Sequence, residues 1–464
     1  MRKLLPLPLF LLIFFSCRKD SFITSPDARV TLSADTLHFD TVFTTAGSVT
    51  QYFKVRNDND QKLLISSIRI MGGAGSVYHI NADGTPGPEI QDLELAPNDS
   101  TYVYVNLRID PSTDILPFVV RDSVRIAYNG NEQFVQLEAW GQNAHFFRDK
   151  VISGNETWTN DLPYVILGSL EVATSGHLQI EKGCRVYVHA DAPLIINGRL
   201  QVNGEKDSID RVYFQGDRLD LPYADFPASW PGIFFTPTSH DNFLQYAVIK
   251  NAYQAIAVQD PSINANPKLT LLECIIENAY DAGILSFNSA INARNCLISN
   301  CGKNLMLVKG GVYLFEHCTV ASYSNTYLVH KDPVLLLTNY VSANNIPVTA
   351  NLTATFRNCI FWGENGIVEN EVTVLKVGSD PFNVTFDHNL WKQSQEPSGI
   401  NSISNLNNLP PAFDSINTSK HYYNFRLRDN SPVLNAGVNS SVSIDLDGKP
   451  RPVGLPDLGC YERQ

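Results

Sequence analysis

From Tyr246 to Glu364 one short pattern of apolar and polar positions returns at a nearly fixed spacing. Glu273-Cys274-Ile275-Ile276-Glu277-Asn278 aligns with Asn295-Cys296-Leu297-Ile298-Ser299-Asn300 and His317-Cys318-Thr319-Val320-Ala321-Ser322, each cysteine 22 residues after the last. Tyr246-Ala247-Val248-Ile249-Lys250-Asn251 comes 27 residues earlier, and Asn358-Cys359-Ile360-Phe361-Trp362-Gly363 follows Cys318 by 41, close to two periods. A period in the low twenties predicts stacked repeats, each burying its apolar face on the next. Ala247, Cys274, Cys296, Cys318 and Cys359 form one small, apolar column, with Ile249, Ile276, Ile298, Val320 and Phe361 two residues on. This alternation, rich in β-branched residues, predicts strands with those two columns facing inward. Lys250, Glu277 and Ser299 follow on the outward column, where Lys250 and Glu277 are expected to form a surface ion pair. Asn251, Asn278 and Asn300 end the strand; asparagine tolerates left-handed backbone, and its amide can bond the equivalent amide one rung away. Each repeat restarts with an apolar group such as Ile256-Ala257-Val258 or Gly283-Ile284-Leu285, so several strands per turn give a coil of parallel strands.

The same alternation extends the coil in both directions. Upstream lie Leu170-Glu171-Val172, Leu178-Gln179-Ile180, Val186-Tyr187-Val188, Leu194-Ile195-Ile196 and Val212-Tyr213-Phe214, with glycines at the corners. Trp158 and Tyr164 are the candidates for the lid that the first coil needs, and 145–150 reads as a linker. Residues 323–357 fit one degenerate coil with Tyr340 in the cysteine column, 22 residues after Cys318. Phe386 to Trp391 reads as one more rung, and 392–409 as irregular. The parallel coil is thus expected over 150–430 and a closing cap over 431–464. Residues 30–143 lack the period. There Leu37–Phe39, Thr50–Val55, Leu63–Ile68, Ser100–Val105 and Asp122–Ile126 alternate like half-buried antiparallel strands separated by turns such as Tyr128-Asn129-Gly130-Asn131. About seven strands in about 110 residues predict a β-sandwich.

The chain opens on Met1-Arg2-Lys3, an apolar run from Leu4 to Phe15, then Ser16-Cys17. That is a signal peptide, 1–16, too short to span a bilayer. Residues 17–29 read as a polar tether. A formal net charge of −12 with no basic cluster excludes nucleic acid as the expected partner. Of the eight cysteines, those in the column are expected to be buried thiols. Residues one rung apart keep their Cβ atoms about 4.8 Å apart, too far for a disulfide. A Cys296–Cys301 bridge or a metal site is the alternative.

The columns from Ala247 to Phe361 resemble the right-handed, single-stranded parallel β-helix (pectate-lyase-like) superfamily. Phe39-Asp40-Thr41-Val42-Phe43 followed by Tyr52–Asn57 resembles immunoglobulin-like domains of the abnormal-spindle/hydin type, which implies a spacer or a binding module. Ser16-Cys17 resembles a bacterial lipoprotein signal, which implies lipid attachment at Cys17; Arg18-Lys19-Asp20 looks like Bacteroidetes-type tails. Ser431-Pro432-Val433-Leu434-Asn435-Ala436-Gly437, Asp445–Pro452 and Asp457–Glu462 resemble the closing segment of choice-of-anchor Q proteins, implying export and nothing about chemistry.

Candidate chemistry is sparse. The polygalacturonase and pectate-lyase motifs are absent from the sequence, and Asp387-His388-Asn389 reads as a turn rather than a lyase motif. Trp230 and Tyr223, on the 214–233 bulge, and Tyr253, Tyr280 and Asp281, just after the asparagine turns, are the candidate glycan contacts, because exposed aromatics can stack on sugar rings. The alternatives are that Trp230-Pro231-Gly232-Ile233, which resembles a recurrent coil start of this superfamily, only packs its Trp, and that the stacked tyrosines are structural filler. Asp445, Asp447, Asp457 and Glu462 could gather calcium; no other cofactor is expected. The expectation is an all-β, lipid-anchored protein of the cell envelope (outer membrane, periplasmic or surface-exposed) whose rigid solenoid binds glycan or a partner protein. The alternatives are a polysaccharide lyase or hydrolase working from the groove, and a structural spacer or adhesin.

Overall fold

The structure, a computed structural model, describes residues 21–43, 50–108, 118–219 and 222–464. The signal segment 1–16 and Cys17 lie outside them. The chain divides into two compact units, Met1–Asn143 and Ala144–Gln464.

In the first unit two five-stranded sheets enclose one core. Val30–Leu32, Gln51–Asn57, Ser100–Leu107, Tyr78–Ala82 and Thr85–Gly87 form one sheet, in that order; Thr36–Phe43, Asn131–Gln142, Phe118–Tyr128, Leu63–Ile70 and Glu89–Leu95 form the other. Alternation sends Phe53, Val55, Val103 and Val105 inward from one side and Ile65, Ile68, Ile126 and Leu137 from the other. Among the described residues ten strands stand where about seven were expected, because edge pieces such as Val30–Leu32 are too short to show a period. Asn129 and Gly130, both at positive φ, make the predicted hairpin turn. The tether is corrected in part. Asn129 Nδ2 donates to the carbonyls of Ile23 and Ser25, and Asn131 Nδ2 to that of Pro26, which pins those residues to the unit.

The second unit is a 26-stranded sheet whose rungs stack in parallel from His145–Ile152 to Leu406–Asn407. The column expected from sequence is there: Ile249 pairs with Ile276, Ile276 with Ile298, Ile298 with Val320 and Val320 with Phe361. Cys274, Cys296, Cys318 and Cys359 are free, fully buried thiols beside it, and Cys301 is free as well. The lid residues Trp158 and Tyr164 are buried and stacked 4.3 Å apart.

Four boundaries differ from expectation. Residues 145–150, read as a linker, belong to the first strand of the solenoid, His145–Ile152, parallel to Tyr164–Val172. The 41-residue step is one rung, not two: Thr319 pairs directly with Ile360, and Tyr340–Ala343 folds back antiparallel on Ile346–Thr349. Asn344 and Asn345, at φ 51° and 62°, supply the paired left-handed residues of a tight hairpin turn. Asn401–Ile403 and Leu406–Asn407 add a short rung inside the stretch read as irregular. Finally, the C-terminal segment does not close an end. It runs along the flank, where Val438, Ser440 and Ile444 bond Asn358, His317 and Asn295 from three successive rungs and Leu446 bonds Arg211 three rungs further back.

Candidate functional site

Left-handed asparagines set the corner from which the site is built. Asn251, Asn278 and Asn300 sit at φ 63°, 56° and 52°, as the sequence column predicts. Asn278 Nδ2 donates to Asn251 Oδ1 at 2.8 Å and to the Asp225 carbonyl at 2.9 Å, and Asn251 Nδ2 donates to the Ala224 carbonyl. Asn300 turns the other way, its Oδ1 accepting from the Tyr323 N–H. These amides, with Lys250 and Glu277, floor a cleft of about 100 Å³.

Two outlying segments wall it. The bulge carrying Tyr223 and Phe226 supplies one side, and the antiparallel hairpin Phe413–Asn417/Tyr422–Leu427 brings His421 and Tyr423 to the other. Aromatic contacts join the walls: Tyr223 meets Phe226 at 5.2 Å, Phe226 meets Tyr327 at 5.1 Å, and Tyr327 stacks on His421 at 4.6 Å.

Glu277 does not make the expected surface ion pair with Lys250. The two are register neighbours, but no bond between their side chains forms, and Lys250 acts on the carboxyl only through its field. Burial pushes the Glu277 carboxyl above its ordinary range and the Lys250 charge opposes that rise. The Tyr423 hydroxyl is buried beside Asn325 without a well-formed hydrogen bond, and burial raises its pKa.

The predicted glycan contacts separate into two groups. Trp230, 1% exposed, is a wedge inside the coil whose Nε1 donates to the Lys250 carbonyl, so it cannot meet a ligand. A large ring flanked by Pro231 and Gly232 fills the corner better than it would cover the surface. Asp281 is also occupied. Burial would raise its pKa, but Gln254 at 2.8 Å and Lys303 at 2.7 Å hold the carboxylate below its usual range. Tyr253 and Tyr280 are 47% and 52% exposed and stacked at 5.6 Å with 26° between planes. They stand two residues beyond Asn251 and Asn278, on the turns that floor the cleft. Tyr223 is exposed too, one face covered by the Arg218 guanidinium at 3.7 Å.

Asn325, His421 and Tyr423 escaped sequence reading because they lie on loops and a hairpin without the period. Only their polarity marked them, and polarity is common on loops.

Several other carboxylates are committed elsewhere. Glu316 bonds Arg294 and Arg357, and Arg357 bonds Asp387, which His388 also meets at 2.7 Å; His388 itself is a left-handed turn residue. In the set considered for calcium, Asp445 accepts three backbone N–H bonds from Asp447, Lys449 and Glu462. Asp457 accepts from Asn435 and Arg463, Glu462 pairs with Arg451 at 3.1 Å, and Asp447 pairs with Arg426. Among the described residues no group of three or more His, Cys, Asp or Glu is arranged to hold a metal ion.

No family model matches the chain, and no curated protein matches it. Among solved structures, the catalytic domain of a GH87 α-1,3-glucanase in complex with nigerose superposes over 78% of this chain and 88% of its own, with 9% identity and a TM-score of 0.22. A family 123 glycoside hydrolase from Clostridium perfringens, described for glycolipid glycan hydrolysis, matches 28% of this chain at 8% identity and a TM-score of 0.20. That match spans 30% of the hydrolase. The ASH/PapD-like domain of human CEP192 matches 27% of this chain and 98% of its own, at 9% identity and a TM-score of 0.18. TM-scores this low leave fold and site to be argued from the chain's own geometry.

Proposed function

We propose that this is a lipid-anchored protein of the cell envelope, attached through Cys17, whose immunoglobulin-like first unit carries a right-handed parallel β-helix that binds glycan. The anchor rests on the basic start, the apolar run from Leu4 to Phe15 and the Ser16-Cys17 pair. One observation carries the glycan reading: two exposed, nearly parallel tyrosines stand on the same turns as a cleft lined by amides, Lys250 and Glu277. Aromatic faces stack on the C–H face of sugar rings, while a few fixed polar groups select the substituents. Backbone bonds from rung to rung tie these turns, Tyr253 N–H to the Trp230 carbonyl and Tyr280 N–H to that of Ala252.

The test is a glycan array and a depolymerisation screen with the soluble form beginning at Arg18. Binding without release of fragments, weakened about tenfold by Tyr253→Ala together with Tyr280→Ala, supports a binder. Released fragments would instead make the cleft an active site. A folded protein that neither binds nor cleaves any glycan would overturn the proposal and leave a spacer, adhesin or protein-binding role. For the anchor, Cys17→Ser should leave the protein in the soluble envelope fraction; persistence of the variant in membranes would count against lipidation.

A further inference from the structure

The solenoid presents three outer sheet faces, and the sequence treats them differently. One alternates, as in Leu178-Gln179-Ile180 and Leu200-Gln201-Val202, with the polar residue outward. A second holds the cleft, and beside it Leu297, Ile360 and Leu390 lie under the C-terminal strap. The third is apolar throughout: Leu194-Ile195-Ile196, Ile233-Phe234-Phe235, Leu305-Met306-Leu307 and Leu335-Leu336-Leu337. Its outward column is Ile195, Phe234, Ala257, Leu285, Met306 and Leu336, one residue on each of six successive rungs. Gln259, Phe287, Val308 and Thr338 stand in the next outward column, and Leu375 follows Thr338. Phe287 and Leu375 are 36% and 42% exposed. Inward neighbours such as Ile196, Phe235, Val258 and Leu307 fill the coil, whereas none of the first column joins a core cluster of the described residues. A sheet with one solvated face alternates apolar and polar residues; unbroken apolar triplets are the pattern of a sheet covered on both faces.

From this we infer that the third face is the interface between two copies of this chain, packed about a two-fold axis. The inference is independent of the glycan reading. Area, shape and charge each favour a second copy as the occupant. Six rungs at about 4.8 Å, on strands about 20 Å long, give roughly 600 Å² per copy and about 1,200 Å² for the pair, which reaches the range of stable interfaces. The column has one small residue, Ala257, next to the ridge made by Leu285. An axis between those two rungs sets each copy's Leu285 over its partner's Ala257, with Phe234 opposite Met306 and Ile195 opposite Leu336. Equal rung spacing in the two copies keeps all these pairs in step. Neither outward column carries a charged residue between Ile195 and Leu336, so two chains at −12 each meet there without like charges in contact. The hairpin 340–349 leaves the coil at the edge of this face, two residues after Thr338, and adds exposed Ile346 and Val348 to its rim.

Sedimentation equilibrium on the form beginning at Arg18 tests this. A dimer is expected at about 20 µM, and Leu285→Lys together with Met306→Lys should weaken it at least about 100-fold. Gln179→Lys together with Gln201→Lys, on the polar face, should leave it unchanged. Circular dichroism and thermal unfolding establish that each variant keeps its fold. Should the Leu285 and Met306 variant unfold, Ile195→Cys together with Leu336→Cys decides the matter. These positions lie about 24 Å apart within one copy, five rung steps, so a disulfide formed between them on mild oxidation joins two copies. The cross-linked dimer supports the assignment, and its absence counts against it. A monomer at about 20 µM would overturn the proposal, as would a dimer that survives the lysines in a folded variant. Binding of the monomer to lipid vesicles through this face would overturn it too.

Discussion

At the scale of single residues the corners of the coil are chosen for left-handed backbone. Ahead of the inward small column stand Glu273, Asn295, His317, Asn358 and His388, all with φ near 50°. His317 among them is buried, bonded to Asn358 and Ser440, with its pKa pushed down to about 2 by burial and by the charge of Arg451. The sign follows from linkage. Below the ordinary histidine value of 6.5 the unfolded chain takes up a proton that the folded chain refuses. Stability is therefore full above pH 6.5 and falls as the pH drops, by up to about 1.4 kcal/mol per pH unit from this residue. His317→Asn, which places the residue of the neighbouring rungs at this corner, should flatten that slope. Urea midpoints at pH 7 and 4.5 check it, and equal slopes in the two proteins would refute it. The thiols make a second case: burial raises Cys274, Cys296 and Cys318 well above the usual range. In the form beginning at Arg18 they should resist an aromatic disulfide reagent at pH 8 until the protein is unfolded. The thiol column was legible in the sequence, because its spacing equals one turn of the coil, whereas the left-handed column just ahead of it was not read, since its residue types vary from rung to rung. The burial that moves the pKa of His317 was not legible either, since it comes from a strap more than a hundred residues away.

Among the elements, the 340–349 hairpin is an excursion rather than a rung. Asn339 and Ala350 are already bonded across its base, Ala350 N–H to the Asn339 carbonyl at 2.9 Å. Replacing Tyr340–Thr349 by two glycines should change stability by less than about 2 kcal/mol. A larger loss on thermal unfolding would mean that the hairpin packs as a coil strand does. The C-terminal strap should behave in the opposite way. It covers Leu297, Ala321, Ile360 and Leu390 with Val433, Leu446 and Leu458, and it bonds Asn295, His317 and Asn358. Ending the chain after Asn430 should cost about 5 kcal/mol or more and produce aggregation, because it exposes apolar flank and strands buried polar groups together. Light scattering and thermal unfolding measure both effects. Sequence spacing gave no warning of either element. Tyr340 falls in register with the cysteines by distance along the chain, and only the turn formed by Asn344 and Asn345 directs the strand backward.

For the whole molecule, the two units keep separate cores, and the cleft groups from Lys250 to Tyr423 all belong to the second. A fragment covering Ala144–Gln464 should therefore fold and retain the affinity of the longer form for its glycan, read by calorimetry; loss of binding by a folded fragment would place part of the site in the first unit. The periodic sequence by itself determined the all-β class, the stacked rungs, the buried thiols and the asparagine corner, since each follows from side chains repeating at the length of one turn. The tertiary structure alone decided between packing and exposure for Trp230, set the C-terminal segment along the flank, and brought Asn325, His421 and Tyr423 to Lys250 and Glu277. Those meetings join segments with no common period, and their distances are set by how the coil stacks, which no local pattern encodes.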